Sequence, residues 1–154
     1  MSSQRFVSNA SPLIAFERLE QLNLFQQLVT TVYIPSAVRQ EVFGAGAMPD
    51  WVIEHPISQP VSSIALSPRL GAGEREAIVL ALELAPTLLL LDDLAARRSA
   101  QAMSLPVIGT VGLLILARDR NLIPALKPHL DRLLKEEFHI ADELYQLALR
   151  RAGE

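Results

Sequence analysis

The chain has 154 residues, of which 50% are hydrophobic and 20% charged, and its formal net charge is −3. This balance fits one globular domain over residues 1–154 and excludes a disordered chain. Cysteine is absent, which excludes disulfides and cysteine nucleophiles and is compatible with the cytoplasmic location that we expect. The acidic charge gives no support for nucleic-acid binding through bulk charge, so such binding needs a local basic patch or metal ions.

The first part of the chain alternates apolar or β-branched runs with helical patterns. Ser11 and Pro12 suit the cap and the first position of the first helix. Gly44 and Gly46 predict a loop, and one short edge strand is expected within residues 51–64. The other predicted elements are strands at residues 6–8 and 30–34 and helices that start near residue 12 and cover residues 22–28 and 35–42.

The second part continues the alternation more regularly. Residues 87–91 form an uninterrupted apolar run after a helix, which is typical of a central parallel strand. A shorter strand is predicted at residues 105–108. The predicted helices of this part cover residues 74–85, 94–103, 111–121, 124–137 and 141–152.

Strands that alternate with helices predict an α/β fold in which helices cover both faces of a parallel sheet. In such sheets, ligands bind beyond the carboxyl ends of the strands, near the point where the strand order reverses. The residues that follow the predicted strands are Asn9, Pro35, Asp92 with Asp93, and residues 109–110. Any functional site is therefore expected among them.

Two adjacent carboxylates, Asp92 and Asp93, follow the apolar strand at residues 87–91. Charge at the end of a buried strand needs water, a cation or a basic side chain to compensate it. One of the two acids is equally well explained as the cap of the next helix. That explanation leaves a metal role open for the other.

Two glutamates are weaker candidates. Glu74 lies in the first turn of its helix, where a favourable interaction with the helix dipole explains it without any function. Glu41 lies in the helix after the second strand, and a lone glutamate there is usually solvated. If these acids meet the aspartates at one sheet edge, they form an oxygen-rich site that suits Mg²⁺ or Mn²⁺ and phosphoryl chemistry.

Two arginines, Arg97 and Arg98, follow the aspartates by about one helical turn. They either lie on a solvated helix face or contact a nucleic-acid phosphate or the acids. The histidines lack metal-ligand spacing, and no phosphate-binding glycine motif occurs. A nucleotide-binding α/β domain is therefore the least supported function.

Five segments together resemble the PIN-domain family, and in particular a short prokaryotic subfamily of predicted nucleic-acid-binding proteins. Each segment alone is not specific to the family, but the occurrence of all five in this order is fairly specific. The resemblance covers about residues 5–150, and the matching segments are residues 7–14, 34–42, 73–78, 89–97 and 106–110.

The resemblance implies a three-layer α/β/α sandwich with a central parallel sheet and Mg²⁺- or Mn²⁺-dependent cleavage of single-stranded RNA. It places the family's acids at Asn9, Glu41, Glu74 and either Asp92 or Asp93, with all but Glu41 as metal ligands. Ser11, Arg97 and Arg98 are then expected to contact RNA. The resemblance further implies a toxin held by an antitoxin protein, and a homodimer.

Asn9 departs from the family pattern, because active members usually carry aspartate there. Asparagine keeps one oxygen ligand but removes a negative charge, so affinity for a hard cation should fall. We therefore expect a ribonuclease with a weakened site. The alternative is a non-catalytic PIN-like module that binds RNA or a protein.

Overall fold

The computed structural model describes residues 4–63 and 66–154, and within these ranges the chain forms five strands and eight α-helices. In chain order the elements are β1 Arg5–Ser8, α1 Ala10–Arg18, α2 Leu22–Val29, β2 Val32–Ile34, α3 Ser36–Phe43, β3 Val52–Glu54, α4 Ala72–Glu83, β4 Thr87–Leu90, α5 Leu94–Ala102, β5 Val107–Ile108, α6 Thr110–Asp119, α7 Lys127–Lys135 and α8 Asp142–Arg151. A short 3-10 turn spans Val61–Ser63.

All five described strands are parallel and form one sheet in the order β3-β2-β1-β4-β5. Val7 of β1 pairs with Tyr33 on one side and with Leu89 on the other. The chain first builds outward from β1 to β3, then returns to place β4 on the opposite side of β1. The strand order therefore reverses between β1 and β4, which is where ligands bind in open parallel sheets.

Successive side chains of β4 face opposite sides of the sheet, as the pleat requires. Leu89 packs with α4 and α5 through residues such as Ile78 and Ala96. Leu90 packs on the other face with α1, α2, α6 and α7, through residues such as Phe16 and Leu113. The predicted three-layer α/β/α sandwich is thus confirmed.

Several predicted boundaries were wrong by a few residues, for local reasons. Ser11 does not cap α1, because the helix already begins at Ala10 and Asn9 occupies the cap position. Thr30 has a φ of 64°, which a strand residue cannot adopt, so β2 begins at Val32. Leu105 donates its backbone N–H to Ala100 O in the turn that follows α5, so β5 begins only at Val107.

The remaining differences are shifts of helix ends. Helix α4 begins at Ala72 and α7 covers only Lys127–Lys135, where the sequence predicted residues 74–85 and 124–137. The expected edge strand is β3, and Ile64 of the proline-containing segment lies outside the described residues. Among the described residues, the structure holds no helix with the length and apolar character needed to cross a lipid bilayer.

The leucines after Thr110 divide into two groups. Five are fully buried and so belong to the core of this chain: Leu113, Leu114, Leu126, Leu130 and Leu133. Leu149 is 8% exposed and Leu116 is partly buried, whereas Leu122, Leu134, Leu144 and Leu147 are 38%, 44%, 40% and 55% exposed. Internal packing thus accounts for most of them, and four remain as apolar surface.

Candidate active site

The carboxyl ends of β1 and β4 open into a groove of about 540 Å³. The groove is lined by Asn9 and Ser11 after β1, by Asp92 and Asp93 after β4, and by Glu74 from α4. The backbone N–H of Asn9 donates to Leu90 O at 3.0 Å, so the strand pairing extends to the edge of the groove. Parallel neighbouring strands thus bring together residues that are far apart in sequence.

Asn9 and Glu74 are joined by a hydrogen bond at the base of this groove. The Nδ2 of Asn9 donates to Glu74 Oε2 at 3.3 Å, and Asn9 is only 3% exposed. The other carboxylate oxygen of Glu74 accepts the backbone N–H of Gly71 at 2.8 Å, at the start of its own helix α4. Glu74 therefore supports its helix terminus, as the dipole argument predicted, and also faces the groove.

The second polar atom of Asn9 has no donor. Because Nδ2 is directed at Glu74, Oδ1 points to the other side, where it is buried without a hydrogen-bond partner among the described residues. A Cβ atom on Gly73 would lie 3.1 Å from Asn9 Oδ1 and 3.2 Å from Glu41 Oε1. Two acceptor oxygens therefore lie over the same glycine, and a buried acceptor without a donor costs about 1–3 kcal/mol.

Asp92 is held by three hydrogen bonds from two other segments. Its Oδ2 accepts from Ser11 Oγ at 2.8 Å and from Thr110 Oγ1 at 2.7 Å. Its Oδ1 accepts the backbone N–H of Thr110 at 2.7 Å, at the start of α6. The carboxylate thereby ties the ends of β1, β4 and β5 together and has a fixed orientation.

Asp93 has a different position from its neighbour. It is exposed, it is the N-cap of α5, and its Oδ2 accepts the backbone N–H of Ala96 at 2.9 Å. The expectation that one acid of the pair caps the next helix is confirmed for Asp93. Asp92 is the acid whose carboxylate turns toward the neighbouring strand ends.

Glu41 reaches the site from α3, a helix that rests on α4. It is exposed, but its Oε1 lies over Gly73 beside Asn9. The position of α3 is set in part by Glu76, whose Oε1 accepts the backbone N–H of Ala37 at 3.1 Å. The role of Glu76 could not be predicted from the sequence, since only this contact with a distant helix terminus reveals it.

The three residues that were expected to contact RNA lie at different distances from the groove: one lines it, one lies in an adjoining pocket and one lines neither. Ser11 lines the groove, although its hydroxyl donates to Asp92. Arg97 is half-buried beside Asp92, in a second and smaller pocket that adjoins the groove. Arg98 is exposed and lines neither of these two cavities.

Several residues at the site were not predicted. Thr110 was noted only as a strand end, yet it supplies two of the three hydrogen bonds to Asp92. Phe138 and His139, between α7 and α8, form the rim of the groove together with Arg18. Only the position of Thr110 after β5 carried a local signal, since nothing in the sequence near residue 138 indicates a site.

The donor set limits the kind of ion that fits. Among residues 4–63 and 66–154, no three histidine or acidic side chains lie close enough to share a metal ion. Mg²⁺ and similar ions often use only one or two protein carboxylates and keep several waters. The unpartnered Oδ1 of Asn9, with Glu41 and Glu74 nearby, fits a hydrated ion of this kind rather than a protein cage.

Comparison with known proteins gives one clear finding. A family model described as a PIN domain matches residues 5–154, which is nearly the whole chain and includes every residue of the site. No curated protein matches the sequence.

Proposed function

The chain belongs to the PIN-domain family, whose fold is of the nuclease type, and on this basis we propose that it is a metal-dependent ribonuclease with a weakened site. Its substrate is single-stranded RNA and its ion is Mg²⁺ or Mn²⁺. The observation that carries the proposal is the buried Oδ1 of Asn9, which has no donor and lies with Glu41 Oε1 over Gly73. Oxygen atoms in this arrangement call for a cation or an ordered water.

In this proposal Asn9, Glu74 and Asp92 would hold the ion, which would lower the pKa of a bound water and offset negative charge on the phosphoryl group. Asp92 is suited to its part because Ser11 and Thr110 fix its carboxylate before substrate binds. Glu41 accepts a hydrogen bond from water at the edge of the site. Asp93 is left out of the set, since it is exposed and its carboxylate is turned to the start of α5 and not to the ends of the neighbouring strands.

RNA binding is proposed along the groove of about 540 Å³. Arg18 at the rim and Arg97 beside Asp92 supply positive charge near the acids, and Ser11 orients Asp92. Arg98 contributes from the exposed face of α5. The net charge of −3 makes this local arrangement necessary, because the whole surface does not attract RNA.

The weakening follows from the charge of Asn9. The amide donates one hydrogen bond to Glu74, where an aspartate would repel that carboxylate in the absence of an ion. The free site is therefore more stable than an all-acid site, and the gain from binding a cation is smaller. We expect cleavage that is slow and more easily seen with Mn²⁺.

The test is cleavage of a labelled single-stranded RNA by the full chain in MnCl₂ and in EDTA. Cleavage is expected only with Mn²⁺, and Glu74→Gln should abolish it. The matched control is Glu143→Gln, since Glu143 is an exposed glutamate of α8 outside the groove. The enzyme proposal fails if neither the natural chain nor Asn9→Asp cleaves RNA with Mn²⁺.

A second candidate is a non-catalytic module that binds RNA or a protein. It is favoured by the Asn9–Glu74 hydrogen bond, which gives the amide N–H₂ group of Asn9 a partner without any ion. It is also favoured by the lack of a three-acid cluster in the described ranges. Calorimetric titration with Mn²⁺ separates the two candidates. An inert module shows no heat of binding that Glu74→Gln removes.

The resemblance also suggests partners, namely an antitoxin protein and a second copy of the chain. The exposed leucines 134, 144 and 147 offer apolar surface for such contacts. Light scattering of the purified chain tests the homodimer. Co-purification with the product of a neighbouring small gene tests the antitoxin.

A further inference from the structure

A second pocket of about 230 Å³ adjoins the groove beyond the end of β5. Its walls are mostly apolar and come from Ile108, Ile115, Phe138 and Leu144. Its polar residues are Asp92, Arg97 and His139, of which Asp92 and His139 also line the groove. A phosphate would lose its hydration among these apolar walls, so the pocket suits a flat uncharged group with a polar edge.

The pocket and the groove are continuous. Asp92, Phe138 and His139 line both of them. Gly109 lies at the junction, where a Cβ atom would come within 2.9 Å of Asp92 Oδ1 and 3.0 Å of Arg97 Nη1. A glycine at this position lets both side chains approach, so a group in the pocket lies directly beside the proposed site of cleavage.

Arg97 supplies donors in the pocket. No hydrogen bond or ion pair engages its guanidinium in the part of the chain that the structure describes, although Asp92 lies against the same glycine. A guanidinium presents donors in a planar fork. Among the nucleobases, guanine offers the matching pair of adjacent acceptors, O6 and N7.

We propose that this pocket binds an unstacked nucleobase, with a preference for guanine, of the nucleotide next to the phosphate that is cleaved. The inference rests on the proposed function, because it assumes RNA in the groove. The ring of Phe138 packs against the base, Leu144 closes the outer wall, and Arg97 recognises the base edge. RNA-binding proteins commonly hold single-stranded bases in this way, by aromatic stacking and contacts to the base edges.

The experiment measures binding by fluorescence anisotropy, in Ca²⁺ and in EDTA, with RNA shown to remain intact. The probes are an all-uridine single-stranded RNA and the same RNA with one central guanosine. The main pair of variants is Leu144→Glu and Leu147→Glu. Both replace an exposed leucine of α8 and add the same charge, but only Leu144 lines the pocket.

We expect Leu144→Glu to weaken binding about five-fold or more relative to Leu147→Glu, and Phe138→Leu to weaken it similarly by removing the stacking partner. Arg97→Lys keeps the positive charge but loses the planar fork of donors, so it should abolish the preference for guanosine over the all-uridine RNA. Thermal melts identify variants that fail to fold. Since Leu144 and Arg97 are not core residues, their variants keep the test valid even if Phe138→Leu unfolds.

Equal binding by Leu144→Glu and Leu147→Glu, with no guanosine preference in the natural chain, overturns the base pocket. If the natural chain still cleaves RNA with Mn²⁺ in that case, the proposed ribonuclease stands. The pocket would then be assigned to a side chain of a partner protein. If the natural chain binds neither RNA, the inference fails. Cleavage in MnCl₂ then decides separately whether the ribonuclease proposal fails with it.

Discussion

Asn9 donates a hydrogen bond to Glu74 across 65 positions of sequence, with 3.3 Å between Nδ2 and Oε2. This contact fixes the amide so that its oxygen points away from Glu74, toward Glu41 and Gly73. The same residue therefore stabilises the site without a cation and leaves one oxygen free to bind one.

Replacing Asn9 with Asp should lower the stability of the metal-free chain and raise its affinity for Mn²⁺. The variant loses the hydrogen bond and places two carboxylates together, which we expect to cost about 1–3 kcal/mol in EDTA. Thermal unfolding in EDTA and in MnCl₂ measures this, and Mn²⁺ should raise the unfolding temperature of Asn9→Asp more than that of the natural chain. Asn23→Asp, an equal charge change on the exposed face of α2, is the control. A Mn²⁺ effect that is the same in all three proteins would contradict the proposed ion site.

The neighbouring acids Asp92 and Asp93 should respond differently to the same substitution. Asp92→Asn places an amide N–H₂ group against donors from Ser11 or Thr110, so we expect a loss of about 1–3 kcal/mol and of Mn²⁺-dependent cleavage. Asp93→Asn keeps a good helix cap, so stability should change by less than about 0.5 kcal/mol and cleavage should persist. Chemical denaturation and RNA cleavage are the measurements. The reverse pattern would assign the working carboxylate to Asp93.

Gly73→Ala should separate stability from activity. Gly73 is the second residue of α4 and has no unusual φ, so alanine is favoured over glycine there by at most about 0.5–1 kcal/mol. Its Cβ atom, however, would press on Asn9 Oδ1 and Glu41 Oε1 at 3.1 and 3.2 Å. We expect an unfolding temperature within a few degrees of the natural chain and a fall in cleavage of about ten- to hundred-fold, as small displacements at a reacting centre produce. Full activity in Gly73→Ala would show that these two oxygens play no part.

Far from the groove, Glu154 should make stability depend on pH. Its carboxylate accepts the backbone N–H groups of Leu126 and Lys127 at 2.7 and 3.0 Å, at the start of α7. These hydrogen bonds, chiefly the one from Leu126, hold the pKa of Glu154 below its ordinary value of 4.5, and the charges of Arg118 and His129 act in the same direction. A lowered pKa in the folded state means that the stabilisation is present above about pH 4.5 and is lost as the pH falls below it.

Glu154→Gln should therefore lower the unfolding temperature at pH 7 by about 2–4 °C, which corresponds to about 1 kcal/mol in a chain of this size. The difference from the natural chain should shrink as the pH falls toward 3. Thermal melts across this range measure it, with the exposed Glu17→Gln as the control. A difference that stays constant with pH would show that the charge of Glu154 does not contribute.

Local pattern was enough to predict the elements of the fold. The apolar run at residues 87–91 and its flanking helices predicted a central parallel strand, and β4 is an interior strand that pairs in parallel with β1 and β5. Boundaries were less certain, since they depend on single backbone angles and hydrogen bonds such as those of Thr30 and Leu105. Ser11 shows the same limit, because its hydroxyl serves a carboxylate 81 positions away rather than its own helix.

The sequence by itself determined the alternation of strands and helices and therefore placed Asn9 and Asp92 at one edge of the sheet, since parallel strands end on the same side. Only the tertiary structure decided what each side chain does there. Asp92 and Asp93 are chemically identical neighbours, and one faces the strand ends while the other caps a helix because their donors come from different segments. The pocket between β5 and Phe138 likewise exists only through packing. Hydrogen-bond partners and cavity walls are supplied by residues distant in sequence, so no local pattern carries them.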